Sequence, residues 1–149
     1  MHFSLDTSAL VKLFHEEIGS ALVQAIMDEP ARKASISHLA IVEFGSVIAL
    51  KVRTGALTPA EADLLLNQLF ASVEAGDFVV ESIMAEDFDQ ALQLINLHGR
   101  QRSLKTLDAL HLATALRQKR QGRLDYFVTG DRALSNVGKL AGLAVIGPE

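Results

Sequence analysis

Short apolar runs alternate with longer amphipathic segments along the whole chain. The short runs carry strand-forming side chains and predict β-strands at 3–5, 34–37, 78–80, 126–129 and 144–146. Between them, apolar residues recur at helical spacing and predict helices at 9–14, 19–29, 38–53, 58–70, 85–98 and 104–116, and a last short helix from 132. Alternation of strands and helices is typical of a mostly parallel sheet with helices on both faces.

Two segments carry more specific local signals. Thr58 is a good N-cap, with Pro59 in the first turn and Glu61 three residues after Thr58, so a helix is predicted to start there. The helix at 85–98 is amphipathic and places Phe88, Leu92 and Ile95 on one side. The strand at 78–80 is wholly apolar, which predicts a buried strand.

The segment 104–116 is rich in Leu and Ala and predicts a helix. It contains no Gly or Pro, and its apolar residues run round most of the helix circumference, which indicates a buried helix. Asp108 projects between Leu104, Leu112 and Ala115. A buried, unpaired carboxylate is costly, so Asp108 needs a cation, a hydrogen-bond network or protonation to compensate it.

Three further acids stand in positions of the same kind. Asp6 and Asp131 directly follow predicted strands, and Glu43 lies in a helix with no basic helical neighbour. Capping of the next helix explains Asp6 as well as catalysis does. Because ligands of parallel α/β sheets bind beyond the carboxyl ends of the strands, we expect Asp6 and Asp131 to meet at that edge.

Four convergent carboxylates favour one kind of chemistry. Two like charges about 4 Å apart repel by about 4 kcal/mol at an effective dielectric constant near 20, so the cluster needs a counter-charge. Carboxylates without His or Cys ligands favour Mg²⁺ or Mn²⁺. Such ions activate a water for in-line phosphoryl displacement, which is nuclease chemistry.

Length and composition define the broad class. The 149 residues fit one domain, 1–149, and contain no Cys. No apolar run approaches the ~18 residues needed to span a bilayer, and Asp6 comes too early for a signal peptide, so we expect a cytoplasmic protein without a membrane partner. Hydrophobic residues make up 49% of the chain, which is above the usual range. We interpret part of this excess, on the first two helices and at 64–70, as a dimer or partner surface.

The net charge of −4 does not by itself suggest a nucleic-acid binder, but the bases are unevenly distributed. Seven of the 14 flank the segment 104–116. Three of them, Arg100, Arg102 and Lys105, precede Asp108 and are expected to contact phosphates of a nucleic-acid substrate. Interaction with the helix dipole accounts for the basic residues at 117–120.

Four short motifs together resemble a known family. They are Asp6-Thr7-Ser8-Ala9-Leu10, Val42-Glu43-Phe44, Leu107-Asp108-Ala109-Leu110-His111-Leu112-Ala113 and Thr129-Gly130-Asp131. In order and spacing they look like the acid-bearing motifs of PIN-domain ribonucleases, and most of all like VapC toxins of toxin–antitoxin pairs. The resemblance implies a three-layer α/β/α sandwich with a mostly parallel five-stranded sheet. It also implies an Mg²⁺- or Mn²⁺-dependent endoribonuclease, a homodimer, and a VapB-type antitoxin as partner.

The resemblance carries over to individual positions. Asp6, Asp108 and Asp131 match metal-binding acids, and Glu43 matches the helical acid that completes the site. Thr129 and Ser8 match hydroxyl residues beside the metal. His111 matches a recurrent family histidine, for which a buried role with a backbone hydrogen bond is favoured over a role in the site. Arg132 is a further candidate for an RNA phosphate contact.

Other acid-pocket classes fit the sequence less well. A haloacid-dehalogenase-type phosphatase needs a second Asp two residues after Asp6, where Ser8 stands. A receiver domain needs paired acids near the first strand and a phosphoacceptor Asp after a middle strand, and neither is present. A second alternative is a catalytically silent PIN fold that serves as an RNA-binding or assembly module. Loss of an acid would mark such a protein, and none of the four is missing. A third is a DNA nuclease of related fold, but such enzymes usually carry long insertions over the site, for which this chain is too short.

Overall fold

A computed structural model describes residues 1–147, which form five strands and seven helices. The strands are β1 (His2–Leu5), β2 (Lys33–Ser37), β3 (Val79–Glu81), β4 (Tyr126–Val128) and β5 (Val145–Ile146). The helices are α1 (Thr7–Phe14), α2 (Ser20–Met27), α3 (His38–Arg53), α4 (Pro59–Glu74), α5 (Ala85–His98), α6 (Thr106–Arg120) and α7 (Arg132–Leu140). None of these helices is long and apolar enough to cross a bilayer.

The five strands form one sheet in the order β3-β2-β1-β4-β5. Every neighbouring pair is parallel, so the sheet is fully parallel. In the central pair, Leu5 of β1 lies opposite Val128 of β4. The carboxyl ends of β1 and β4 therefore lie side by side, and the residues that follow them meet at one edge.

Two hydrophobic cores cover the two faces of the sheet. Side chains alternate between faces along a strand, and the neighbours Phe127 and Val128 of β4 belong to different cores. The face of the sheet that carries Val128 packs against α1 to α4. The face that carries Phe127 packs against α6 and α7, and α5 packs on α6. The predicted three-layer α/β/α architecture is confirmed. As predicted, α6 is buried almost all round, with every residue from 109 to 115 buried.

Local signals place most element boundaries. Thr58 accepts a hydrogen bond from the backbone N–H of Glu61, and the Glu61 carboxylate accepts one from the backbone N–H of Thr58, which completes the predicted capping box. Ser37 caps α3 in a similar way, through a bond from Ala40 N to its hydroxyl. These caps fix where α3 and α4 begin.

Not all apolar faces of β3 and α5 turn inwards. Val79 is 56% exposed because β3 is an edge strand of the sheet, so the prediction of a buried strand at 78–80 is wrong at this residue, although Phe78 is buried. Phe88 is 58% exposed because α5 turns its other side, with Ala91 and Leu94, towards the core. Both sides of α5 carry large apolar residues, and the smaller Ala91 allows the close packing of α5 on α6.

Candidate active site

One cavity of about 310 Å³ opens at the carboxyl edge of the sheet, and all four predicted acids line it. Asp6 follows β1 and donates its backbone N–H to the carbonyl of Val128 at 3.0 Å, which joins it to the end of β4. Asp131 lies three residues beyond Val128, while Glu43 comes from α3 and Asp108 from the first turn of α6. The fold thus brings together residues that span most of the sequence.

Asp6 both caps α1 and lines the cavity, so its capping role is compatible with a role in the site. Its carboxylate accepts hydrogen bonds from Ala9 N at 2.8 Å, Thr129 Oγ1 at 2.6 Å and the Ser8 hydroxyl at 2.7 Å. It is only 3% exposed. Burial raises the pKa of Asp6 above the ordinary value, and the bonds from Thr129, Ala9 and Ser8 offset part of that rise.

Thr129 and Ser8 connect the end of β4 to the Asp6 carboxylate. Thr129 Oγ1, which donates to Asp6, also accepts a bond of 3.0 Å from Asp131 N. Ser8 Oγ accepts a bond of 2.7 Å from Gly130 N. A Cβ at Gly130 would lie 2.7 Å from the flexible end of the Lys12 side chain and 3.2 Å from Ser8 Oγ, so a larger residue here would require both side chains to shift. The placement of both hydroxyls beside Asp6 agrees with their predicted supporting role.

Asp131 is exposed and caps α7, with Oδ1 accepting a bond of 2.9 Å from Leu134 N. Asp108 is half-buried and lines the same cavity. Burial raises the pKa of Asp108, and the negative charges of Asp131 and Glu43 raise it further. Asp108 is therefore repelled by both of these acids when it is ionised.

Glu43 is held by two side chains from other helices. Its Oε1 accepts a bond of 2.8 Å from Thr7 Oγ1 and is also hydrogen-bonded to His111 Nε2. Burial opposes ionisation of Glu43, but the contacts with His111 and Thr7 outweigh it and hold the pKa of Glu43 below the ordinary value. The expected backbone role of His111 is thus wrong: the ring contacts Glu43 and Thr7, and Nδ1 lies 3.5 Å from Ser37 Oγ.

The donor set fits a hard divalent cation. Within residues 1–147, no three His, Asp or Glu side chains already stand in a coordinating arrangement, so the carboxylates surround the cavity without meeting at one point. Mg²⁺ binds through one or two carboxylates and retains several waters, which suits such a spacing. Burial, and then the negative charges of Asp131 and Glu43, raise the pKa of Asp108, and a cation among these acids would favour its ionised form.

The predicted basic cluster divides into two groups. Arg117 and Arg123 serve the structure: Arg117 Nε donates to the fully buried Asp87 at 2.9 Å, and Arg123 donates to Glu81 at 2.6 Å. Arg117 thus forms a buried ion pair in addition to its place in the last turn of α6. The three RNA-contact candidates before α6, Arg100, Arg102 and Lys105, are exposed and stand outside the cavity lining.

Arg132 lines a second, adjoining cavity of about 710 Å³ that shares Asp131 with the first. Three further polar residues of the first cavity, Thr7, Glu17 and Lys51, were not among the predicted site residues. Lys51 had a usable signal, because positions 43, 47 and 51 repeat at i, i+4 and share one face of α3. Glu17 lies in the loop between α1 and α2, where no periodicity could have indicated it.

Comparison with known proteins places this fold and motif set in a family. Curated proteins gave no significant sequence match. Among solved structures, VapBC2 from Rickettsia felis, bound to a DNA fragment from its promoter, is similar with a TM-score of 0.67 at 12% identity, and each chain is covered over 100% of its length. VapC20 from Mycobacterium tuberculosis, a sarcin-ricin loop cleaving toxin, has a TM-score of 0.66 at 17% identity, covering 95% of this chain and 96% of that one.

A toxin–antitoxin complex from Klebsiella pneumoniae is similar with a TM-score of 0.61 at 20% identity, covering 98% of this chain and 97% of that one. The PIN-domain family profile matches residues 4–140, which is most of the sequence. The matched range includes all four acids, both hydroxyl residues and His111. The chain therefore belongs to the PIN-domain family.

Proposed function

We propose that this protein is a metal-dependent endoribonuclease and the toxin of a type II toxin–antitoxin pair. The observation that carries the proposal is the single cavity lined by Asp6, Glu43, Asp108 and Asp131. Membership of the PIN family and the toxin–antitoxin neighbours support it. The neighbour from Mycobacterium tuberculosis, a sarcin-ricin loop cleaving toxin, further supports RNA as the substrate.

Asp6, Asp108 and Asp131, with Glu43, would hold Mg²⁺ or Mn²⁺. The bound ion would supply positive charge for the phosphate oxygens and lower the pKa of a water. Ser8 and Thr129 keep the Asp6 carboxylate in place and favour its ionised form. His111 and Thr7 engage only Oε1 of Glu43, which leaves Oε2 to accept a hydrogen bond from the attacking water.

The proposed reaction is hydrolysis by direct attack of water. The water oxygen bonds to phosphorus while the bond from phosphorus to O3′ breaks, and O3′ leaves with a proton. The products are a 5′-phosphate and a 3′-hydroxyl. No covalent intermediate with the protein is needed, which agrees with a cavity whose polar lining consists mainly of carboxylates.

A VapB-type antitoxin and a second copy of this chain are the proposed partners. Ile18, Leu22, Leu64 and Phe70 are large apolar residues that are exposed on α2, α4 and the loop before α2. Exposed apolar groups in this number support a partner surface. The neighbours that are toxin–antitoxin complexes support an antitoxin as the occupant.

The test is RNA cleavage by purified protein freed of any partner. Reactions with Mg²⁺, Mn²⁺ or chelator are compared for the wild type, Asp108→Asn and the matched control Asp63→Asn, which alters an exposed acid on α4. We expect metal-dependent cleavage by the wild type and by Asp63→Asn only. If chelator or Asp108→Asn leaves cleavage unchanged, the metal mechanism is wrong. If no RNA is cleaved although Mn²⁺ binds, the protein is a binding module.

A further inference from the structure

The cavity that holds the four acids continues along one face of α3. Glu43, Val47 and Lys51 are spaced one helical turn apart, and all three line the cavity. At about 1.5 Å per residue, Lys51 lies ~12 Å from Glu43 along the helix axis. The acids thus stand near the start of α3, and a lysine stands at the far end of the same cavity.

Lys51 is the unengaged cation of this cavity. It is half-buried, and within residues 1–147 no hydrogen bond or ion pair joins its ammonium group to another residue. Lys12, on the neighbouring helix α1, differs: it donates to the Ile18 carbonyl at 2.8 Å and pairs with Glu17 at 3.3 Å. An ion pair within the protein therefore accounts for the placement of the Lys12 side chain, but not for that of Lys51.

The charge pattern of the cavity indicates what Lys51 binds. Five acids line it, the four at the sheet edge and Glu17, so a free anion entering alone would be repelled. A nucleic-acid strand differs from a free anion. When a metal at the acids binds its scissile phosphate, the strand carries further phosphates on either side of that position. In a stacked strand one phosphate recurs about every 3.4 Å, so a cation ~12 Å from Glu43 falls within a few nucleotides of the cleaved bond.

We propose that Lys51 binds a backbone phosphate of the RNA substrate, a few nucleotides from the cleaved bond, and so sets the path of the strand along α3. The inference rests on the proposed ribonuclease function. It differs from the expected contacts at Arg100, Arg102 and Lys105, which are outside the cavity. Lys51 is then a substrate-binding residue that acts on affinity and leaves the chemistry to the acids.

Arg53 provides a matched control. Lys51 and Arg53 both lie in the last turn of α3, where each positive charge interacts favourably with the helix dipole. Arg53, however, is exposed and does not line the cavity. The Lys51 carbonyl accepts bonds from Ala56 N at 2.8 Å and Leu57 N at 3.1 Å, which a side-chain substitution leaves in place. Lys51→Ala and Arg53→Ala should therefore lose similar, small amounts of stability.

The experiment measures the affinity for a labelled single-stranded RNA in the non-cleaving Asp108→Asn background, across a series of salt concentrations. One lost phosphate contact reduces the slope of log affinity against log salt by about 0.7–0.9, which weakens binding roughly five- to eightfold near 0.1 M salt. We expect this for Lys51→Ala, little change for Arg53→Ala, and near-normal binding for Lys51→Arg. In the cleaving protein, Lys51→Ala should raise KM more than it lowers kcat.

The outcomes separate the two claims. If wild-type protein neither cleaves nor binds RNA, the proposed function fails and Lys51 with it. If the wild type cleaves RNA but Lys51→Ala has the same slope and affinity as Arg53→Ala, only the assignment of Lys51 is overturned. An unchanged slope together with tighter Mn²⁺ binding would make Lys51 an internal counter-charge to the acids, which also overturns it.

Discussion

Thr129 donates a hydrogen bond of 2.6 Å to Asp6, a residue 123 positions earlier in the chain. The bond exists because β1 and β4 are parallel neighbours, so their carboxyl ends lie together. It fixes one oxygen of the Asp6 carboxylate and offsets part of the rise in pKa that burial causes. The sheet thus determines the orientation of this acid.

Removal of this hydroxyl tests its role. Thr129→Val keeps the shape of the side chain but deprives the buried Asp6 of one donor. We expect a loss of about 1–3 kcal/mol in the free energy of unfolding and weaker Mn²⁺ binding. Thr129→Ser restores the donor and should recover most of both. Denaturant unfolding and Mn²⁺ titration measure the two effects, and full Mn²⁺ affinity in Thr129→Val would contradict this role.

His111 should affect the pH range of activity. The pKa of Glu43 is held low despite its burial, through the contacts with His111 and Thr7, so Glu43 stays ionised as the pH falls. In His111→Leu that pKa rises, and the acidic limb of the pH–rate profile should move towards neutral pH. His111→Gln, which can still donate to Glu43, should move it less. Equal profiles for the wild type and His111→Leu would show that His111 does not set the charge of Glu43.

Asp108 should destabilise the metal-free protein at neutral pH. Its folded pKa is raised, chiefly by burial and further by Asp131 and Glu43. Stability linked to such a group is complete below the ordinary Asp pKa and is lost as the pH rises through the raised value. At about pH 7 and without metal, Asp108→Asn should therefore unfold at a higher temperature than the wild type. This difference in unfolding temperature should vanish in acid.

Mn²⁺ should reverse that order of stability. At a concentration about 100 times its Kd, a ligand adds about 2.7 kcal/mol to a protein that binds it. The wild type should gain this amount and Asp108→Asn much less, while the exposed control Asp63→Asn should behave as the wild type. Thermal unfolding with and without Mn²⁺ measures the difference. A greater gain for Asp108→Asn would contradict a role for Asp108 in metal binding.

Arg117 should matter for folding and not for RNA binding. It pairs with Asp87, which is 0% exposed, and with Glu81 at 3.6 Å. Arg117→Ala leaves Asp87 as a buried charge without its partner, which costs about 3–5 kcal/mol. Arg120→Ala, an exposed neighbour on the same helix, should cost about 0.5 kcal/mol or less. Chemical denaturation of both variants provides the comparison, and equal stability would contradict the structural role.

The sequence predicted those features that depend on local chemistry. The Thr58 capping box, the start of α3 and the burial of α6 follow from side chains close together in the chain. The meeting of Asp6 and Asp131 followed from one topological rule, that parallel strands present their carboxyl ends at the same edge. Glu43 was found because its helical neighbours offered it no basic partner.

Features that depend on packing between elements were not predictable in this way. The contacts of His111 with Glu43 and Thr7 join three helices, and no spacing within α6 reveals them. The orientation of α5 depends on how closely Ala91 lets it approach α6, although Phe88 gave the other side the more apolar pattern. The exposure of Val79 depends on strand order, which the pattern of β3 alone does not encode.

Anomalous scattering from crystals soaked in Mn²⁺ would show whether the four acids form a metal site. We expect an Mn²⁺ ion in the cavity that is bound by Asp6 and Asp108, directly or through waters held by Asp131 and Glu43. We expect this ion to be absent from Asp108→Asn crystals. Crystals of the wild type soaked in Mn²⁺ with no ion in this cavity, or with the same ion in Asp108→Asn, would contradict the proposed metal site.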